Sequence, residues 1–152
     1  MKLKIYQIDA FTNKVFQGNY AAVIILEEWL STELMQQIAT ENNLSETAFA
    51  LKNTQNIYEI RWFSPITEID FCGHATLATA FVLFEENILL KEVSFLAKAV
   101  GSLKVSQLDD GYIEMIFPNR KPQKVDNIPQ ELKKGLSIEP KDVLVNQQTY
   151  FV

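Results

Sequence analysis

The segment from Ala75 to Phe84, "ATLATAFVLF", has almost no polar face. Only Thr76 and Thr79 carry polar side-chain atoms there, and at helical spacing they do not line up into a solvent stripe. A helix that is apolar all round has to be enclosed on all sides. The simplest enclosure is a strongly curved, mostly antiparallel sheet or barrel wrapped around it. Leu77, Ala78, Ala80, Phe81 and Leu83 are therefore predicted to be buried, with strands on several sides of their helix.

The rest of the chain supplies the walls. Lys2 to Phe11 alternates apolar and polar residues as a strand does, Gly18-Asn19 marks a turn, and Ala21 to Leu26 reads as a second strand. Ser31 is placed to cap a helix over "TELMQQIATEN", with Asn42-Asn43 as its stop. "SETAFAL" and "NIYEIRWF" follow as strands about a polar turn at Asn53 to Asn56. A Pro65 turn and a short strand then lead to Cys72. "VSFLAKAVGSLKVSQL", divided at Gly101, and "YIEMIFP" are joined through Asp109-Asp110-Gly111, a hairpin turn. The expected class is α+β, with about seven strands around the apolar helix.

From Asn119 the composition changes. Pro118, Pro122 and Pro129 punctuate a polar stretch that reads as a linker. Pro129 opens a short helix, and "DVLVNQQTYFV" reads as one strand that adds to the first sheet or pairs with another chain. The expected division is a lobe over 1–118, then a linker and the start of a second lobe over 119–152.

Charge and cysteine usage narrow the function. Net charge is −5, and the basic clusters Arg120 to Lys124 and Lys133-Lys134 lie in Pro-containing stretches without interleaved aromatics, so nucleic acid is not an expected partner. One cysteine excludes an internal disulfide. With a single histidine it also excludes an ordinary zinc site of nitrogen and sulfur ligands. The N-terminus reads as a strand and not as a signal peptide. No apolar run reaches the ~18 residues of a membrane span, so the expected home is a reducing cytoplasm.

That single Cys72 and single His74 flank Gly73 at the mouth of the apolar helix. Free N–H groups and the positive dipole end favour an anion there. The amides of Gly73, His74 and Ala75 can hold a substrate carboxylate, with His74 as donor or proton carrier; the same residues also suit a plain helix cap. Cys72 is either a thiolate base activated by the helix end and His74, or a small buried residue. Glu46 shares a strand face with Ala48 and Ala50, opposite Thr47, Phe49 and Leu51. A carboxyl group in such a small apolar cavity suits proton transfer, whereas at a sheet edge it merely faces water. Gly18 and Asn19 form a turn that a ligand can approach.

"QGNYAAVIIL", "MQQIATENNLSETAFAL", "IRWFSPITEIDFCGHATLATAFVL" and "IFP" resemble, in order and spacing, the phenazine-biosynthesis PhzF-like proteins, which share the diaminopimelate epimerase fold. The resemblance runs from Met1 to about Pro118. It implies a lobe curled around a central helix and a cofactor-independent isomerase. In that isomerase Glu46 is the general acid/base, His74 contacts the substrate, and Gly73 with neighbouring amides binds a small carboxylate. Proline racemases and diaminopimelate epimerase share the fold and place a catalytic cysteine where Cys72 stands, so an amino-acid racemase is the alternative. Those enzymes need two thiols and this chain has one.

The family's chains are longer and carry an "EDPVTGSA"-type motif in a second lobe, which has no counterpart here. The chain is therefore expected to be a fragment or shortened form with low or no activity alone. It is also expected to self-associate, most simply as a homodimer; a non-catalytic interaction lobe is the third reading.

Overall fold

Alternating strands and two unlike helices produce a sheet with a helix on each face. The computed structural model describes residues 2–55, 57–117, 119–146 and 149–152. Its first unit, Met1–Phe117, holds β1 (Tyr6–Ala10), β2 (Asn19–Leu26), α1 (Thr32–Asn42), β3 (Thr47–Lys52) and β4 (Tyr58–Phe63). It continues with β5 (Glu68–Ile69), α2 (Gly73–Glu86), β6 (Glu92–Ala97), β7 (Gly101–Gln107) and β8 (Ile113–Ile116). Strand order is β1-β2-β3-β4-β6-β7-β8, with β5 paired to β4. Among the described residues only β2–β3 and β4–β6 are parallel, and each of those steps is bridged by a helix. The expected class is what folds: a curled, mostly antiparallel α+β half-barrel.

The parallel pairing of β2 with β3 needs a crossover, and α1 supplies it. Ser31 Oγ accepts from Leu34 N–H at 3.2 Å, and Asn43 ends the helix in the left-handed region at φ 51°. Its Met35 and Ala39 pack on Ile24, Leu26, Phe49 and Phe63. The other face of the same two strands, Ala21, Val23, Ala48 and Ala50, packs with Ala75 and Ala78 of α2. β2 is thus covered on both faces, which is why "AAVIIL" is apolar without a break. Alanine on both sides of the seam lets α2 lie close to the sheet.

The two polar side chains of α2 are satisfied inside the core. Thr76 Oγ1 donates to Cys72 C=O at 2.6 Å and Thr79 Oγ1 to Ala75 C=O at 2.7 Å. The helix rests on β1, β2, β3, β7 and β8. Enclosure is nevertheless incomplete. Ala78, Ala80 and Leu83 are buried, but Leu77 is only half-buried and Phe81 is 40% exposed. β1 and β8 end the sheet and do not pair with each other among the described residues.

The second unit, Pro118–Val152, contains β9 (Gln123–Lys124), α3 (Gln130–Gly135), β10 (Leu144–Val145) and β11 (Tyr150–Phe151). It differs from the expectation of one C-terminal strand that adds to the first sheet or pairs with another chain. β10 and β11 pair antiparallel, β9 pairs β10, and the three make their own sheet. Asn146 N–H donates to Thr149 C=O at 3.1 Å between β10 and β11, a pairing that a single-strand reading of this stretch overlooks.

Candidate active site

The site is assembled where β2, β3 and α2 all begin. Ala22 N–H donates to Glu46 C=O at 3.0 Å, and Ser45 Oγ donates to Tyr20 C=O at 3.0 Å. These bonds fix Ser45 and Glu46 just ahead of β3, alongside the start of β2. Glu46 then precedes Ala48 and Ala50 on the face turned to α2, as strand alternation requires. Cys72 is the N-cap of α2, in extended conformation at φ −141°, and His74 projects from the first turn.

Glu46 Oε2 lies 3.0 Å from His74 Nε2, and both side chains are largely enclosed, at 19% and 10% exposure. The contact is close but out of line with a ring N–H bond. Glu46 Oε2 therefore has no accessible surface and no hydrogen-bond partner among the described residues. Cys72 Sγ lies 3.3 Å from His74 Nδ1, and Ser45 Oγ lies 3.5 Å from Nε2. Ser45 has one hydroxyl hydrogen, which goes to Tyr20, so toward the ring it can only accept. This assigns the ring hydrogen to Nε2 and leaves Nδ1 to accept from the Cys72 thiol.

The thiol's surroundings agree with that assignment. Burial pushes the Cys72 pKa up to about 12, with the nearby Glu46 charge adding to the rise; the amides of Ala75 and His74 pull the other way and lose. The activated thiolate considered from sequence is thus not what the fold imposes. Helix-end amides do favour a sulfur anion, but Cys72 is 6% exposed within the main core.

The remaining site residues sort by position. Gly73 opens α2, and a Cβ there would stand 3.3 Å from the Phe117 ring. The first turn-closing bond of α2 is Thr76 N–H to Cys72 C=O at 3.1 Å, which leaves the amides of Gly73, His74 and Ala75 ahead of the helical ladder. Gly18 is required by packing: a Cβ would meet Ala10 C=O at 2.4 Å. Asn19 is exposed and opens β2 opposite Ala10. Glu46, Cys72 and His74 are brought together; Gly18 and Asn19 stand in the β1–β2 hairpin without a described contact to them. Ser45 was missed from sequence, although it sits within the "SETAF" stretch beside Glu46. A concavity of about 810 Å³ that includes Arg61, Trp62, Asp70 and Lys98 lies elsewhere in the first unit and includes neither Glu46 nor His74.

A half-barrel around a helix whose N-terminus holds a carboxyl–imidazole pair defines the class: an epimerase-like α+β lobe. The phenazine biosynthesis-like protein family model (PhzC–PhzF) matches residues 8–149, and the chain belongs to that family. An uncharacterized isomerase of Halalkalibacterium halodurans is 44% identical over 100% of this chain and 57% of its own length. A PhzF-family crystal structure from Enterococcus faecalis superposes with a TM-score of 0.80 at 43% identity, covering 95% of this chain and 55% of that one. A phenazine biosynthesis PhzC/PhzF protein from Clostridium difficile gives 0.78 at 41% identity, over 95% of this chain and 54% of that one. The chain spans about half the length of the curated relatives it matches.

Proposed function

We propose that this chain carries the acid/base half of a cofactor-independent isomerase acting on a small, amino-acid-like carboxylate. The observation that carries the reading is the Glu46 oxygen held 3.0 Å from His74 Nε2, shielded from water and without a hydrogen-bond partner among the described residues. An oxygen so placed keeps its lone pairs for a substrate proton. Glu46 takes a proton from one carbon and returns it to another, which needs one positioned carboxyl group and no other reactant. His74, with Nδ1 engaged by the thiol, offers its Nε2 hydrogen to the substrate or to Glu46. The amides of Gly73, His74 and Ala75 receive the carboxylate at the positive end of α2. Gly18 shapes the hairpin that presents Asn19 toward the ligand. Cys72 lines the pocket and orients the imidazole.

The Halalkalibacterium relative, named as an uncharacterized isomerase, supports the reaction class. The 152-residue chain alone is expected to have low activity, since the family resemblance implies a second acidic motif in the cleft. The test follows solvent deuterium entering a cyclic dienoic amino acid, in a protein spanning the length of the relatives. Glu46→Gln should lower exchange by about 10²–10⁴-fold with ligand binding kept, while Cys72→Ala costs far less. An active Glu46→Gln beside an inactive Cys72→Ala would instead establish the racemase reading.

A further inference from the structure

The same three side chains have a second use. We infer that Glu46, Cys72 and His74 form a binding site for a thiolate-seeking divalent cation of the Zn²⁺ type. One donor atom from each residue lies within 4.8 Å of the other two. Sequence excluded a site built from nitrogen and sulfur alone; a carboxylate as third ligand lifts that limit. Zinc with three protein ligands and an open fourth position is a familiar arrangement.

The geometry places the ion where the Cys72 thiol hydrogen now points. Sγ and His74 Nδ1 are 3.3 Å apart. A tetrahedral zinc with bonds of roughly 2.3 Å to sulfur and 2.1 Å to nitrogen sets such a pair roughly 3.6 Å apart. The ion replaces the thiol proton, which leaves to solvent, and the sulfur and nitrogen lone pairs become its ligands. Glu46 completes the set by swinging from beside Nε2 into the ion's third position, and its buried oxygen gives up no hydrogen bond to do so. Thiolate, carboxylate and neutral imidazole together neutralise the dication, as a nearly enclosed site requires.

Binding stands independently of the isomerase reading. Its consequence rests on that reading: a metal-held Glu46 cannot take up a proton, so the ion would act as an inhibitor competing with substrate for the open position.

The test uses Cd²⁺ and Zn²⁺ on the purified 152-residue chain. Because the chain has one Cys and one His, any sulfur-to-cadmium charge-transfer absorption reports Cys72 alone. The expected result is a band that saturates at one equivalent and is reversed by a chelator, with calorimetric Zn²⁺ binding of the same stoichiometry. His74→Gln and Glu46→Gln should each weaken Zn²⁺ at least tenfold, with circular dichroism confirming that both remain folded. No saturable band, or Zn²⁺ affinity unchanged in both variants, would overturn the proposal. Metal binding with no effect on proton exchange would leave the site standing and remove Glu46 from the isomerase mechanism. The two readings thus fail separately.

Discussion

At the scale of single residues, the Cys72 thiol explains the imidazole's orientation. Ser45 spends its hydrogen on Tyr20, so His74 keeps its hydrogen on Nε2 and turns Nδ1 to the thiol. A thiol held neutral by burial suits that role better than a thiolate would. Its pKa is raised in the fold, from an ordinary 9.0 to about 12. The folded state therefore binds this proton more tightly than the unfolded chain. The resulting stability is complete below the ordinary value and is lost as pH rises through the folded one. Wild type should accordingly lose more stability than Cys72→Ala between these limits, as followed by urea denaturation at stepped pH. Alkylation of Cys72 in the neutral range should be slow in the native protein and fast once it is unfolded. Equal alkylation rates in both states would refute the enclosed thiol.

At the scale of elements, α2 separates into faces that the composition of its segment hides. Phe84 is 2% exposed and Phe81 40%. Truncating Phe84 to Ala should cost about 3–5 kcal/mol, as for other buried aromatic side chains. Truncating Phe81 should cost well under half as much, both measured by chemical denaturation. Comparable losses would mean that the half-barrel closes over Phe81 in solution. The α1 cap was legible because Ser31 and Asn43 act on their own helix, through the hydroxyl-to-Leu34 bond and the left-handed stop. The β10–β11 pairing was not, because "VLVNQQTYF" carries no glycine or proline to divide the run.

At the scale of the whole molecule, the first unit leaves large apolar side chains in water. Phe16 is 93% exposed, Val15 75% and Phe11 70%, all around the hairpin loop between β1 and β2. Phe11 and Phe16 also hold left-handed backbone, at φ 62° and 64°, with Phe16 N–H bonded to Asp9 Oδ2 at 2.7 Å. Such a cluster favours association. Sedimentation of the 152-residue chain should show concentration-dependent self-association, most simply a homodimer, and Phe16→Ser should weaken it. A stable monomer at all concentrations would count against it.

What the sequence determined by itself is local. Strand alternation, the Ser31 cap, the all-apolar run of α2 and the motif order from "QGNYAAV" to "CGHATLA" each depend on residues close in the chain. Alternation alone put Glu46 on the face of Ala48 and Ala50. The tertiary structure decided the rest. Periodicity states that a helix is buried but not where its wall stops, and Phe81 is left 40% exposed. The two faces of β2 look equally apolar in sequence, and which helix each face receives depends on the crossovers. The approach of Glu46 to His74 rests on the parallel register of β2 with β3 and on the seat of α2 against both. Burial, which depends on all of these together, outweighs the helix-end amides at Cys72. A helix N-terminus can be read from neighbouring residues; the low-dielectric surroundings that reverse its effect are built from strands far away in the chain.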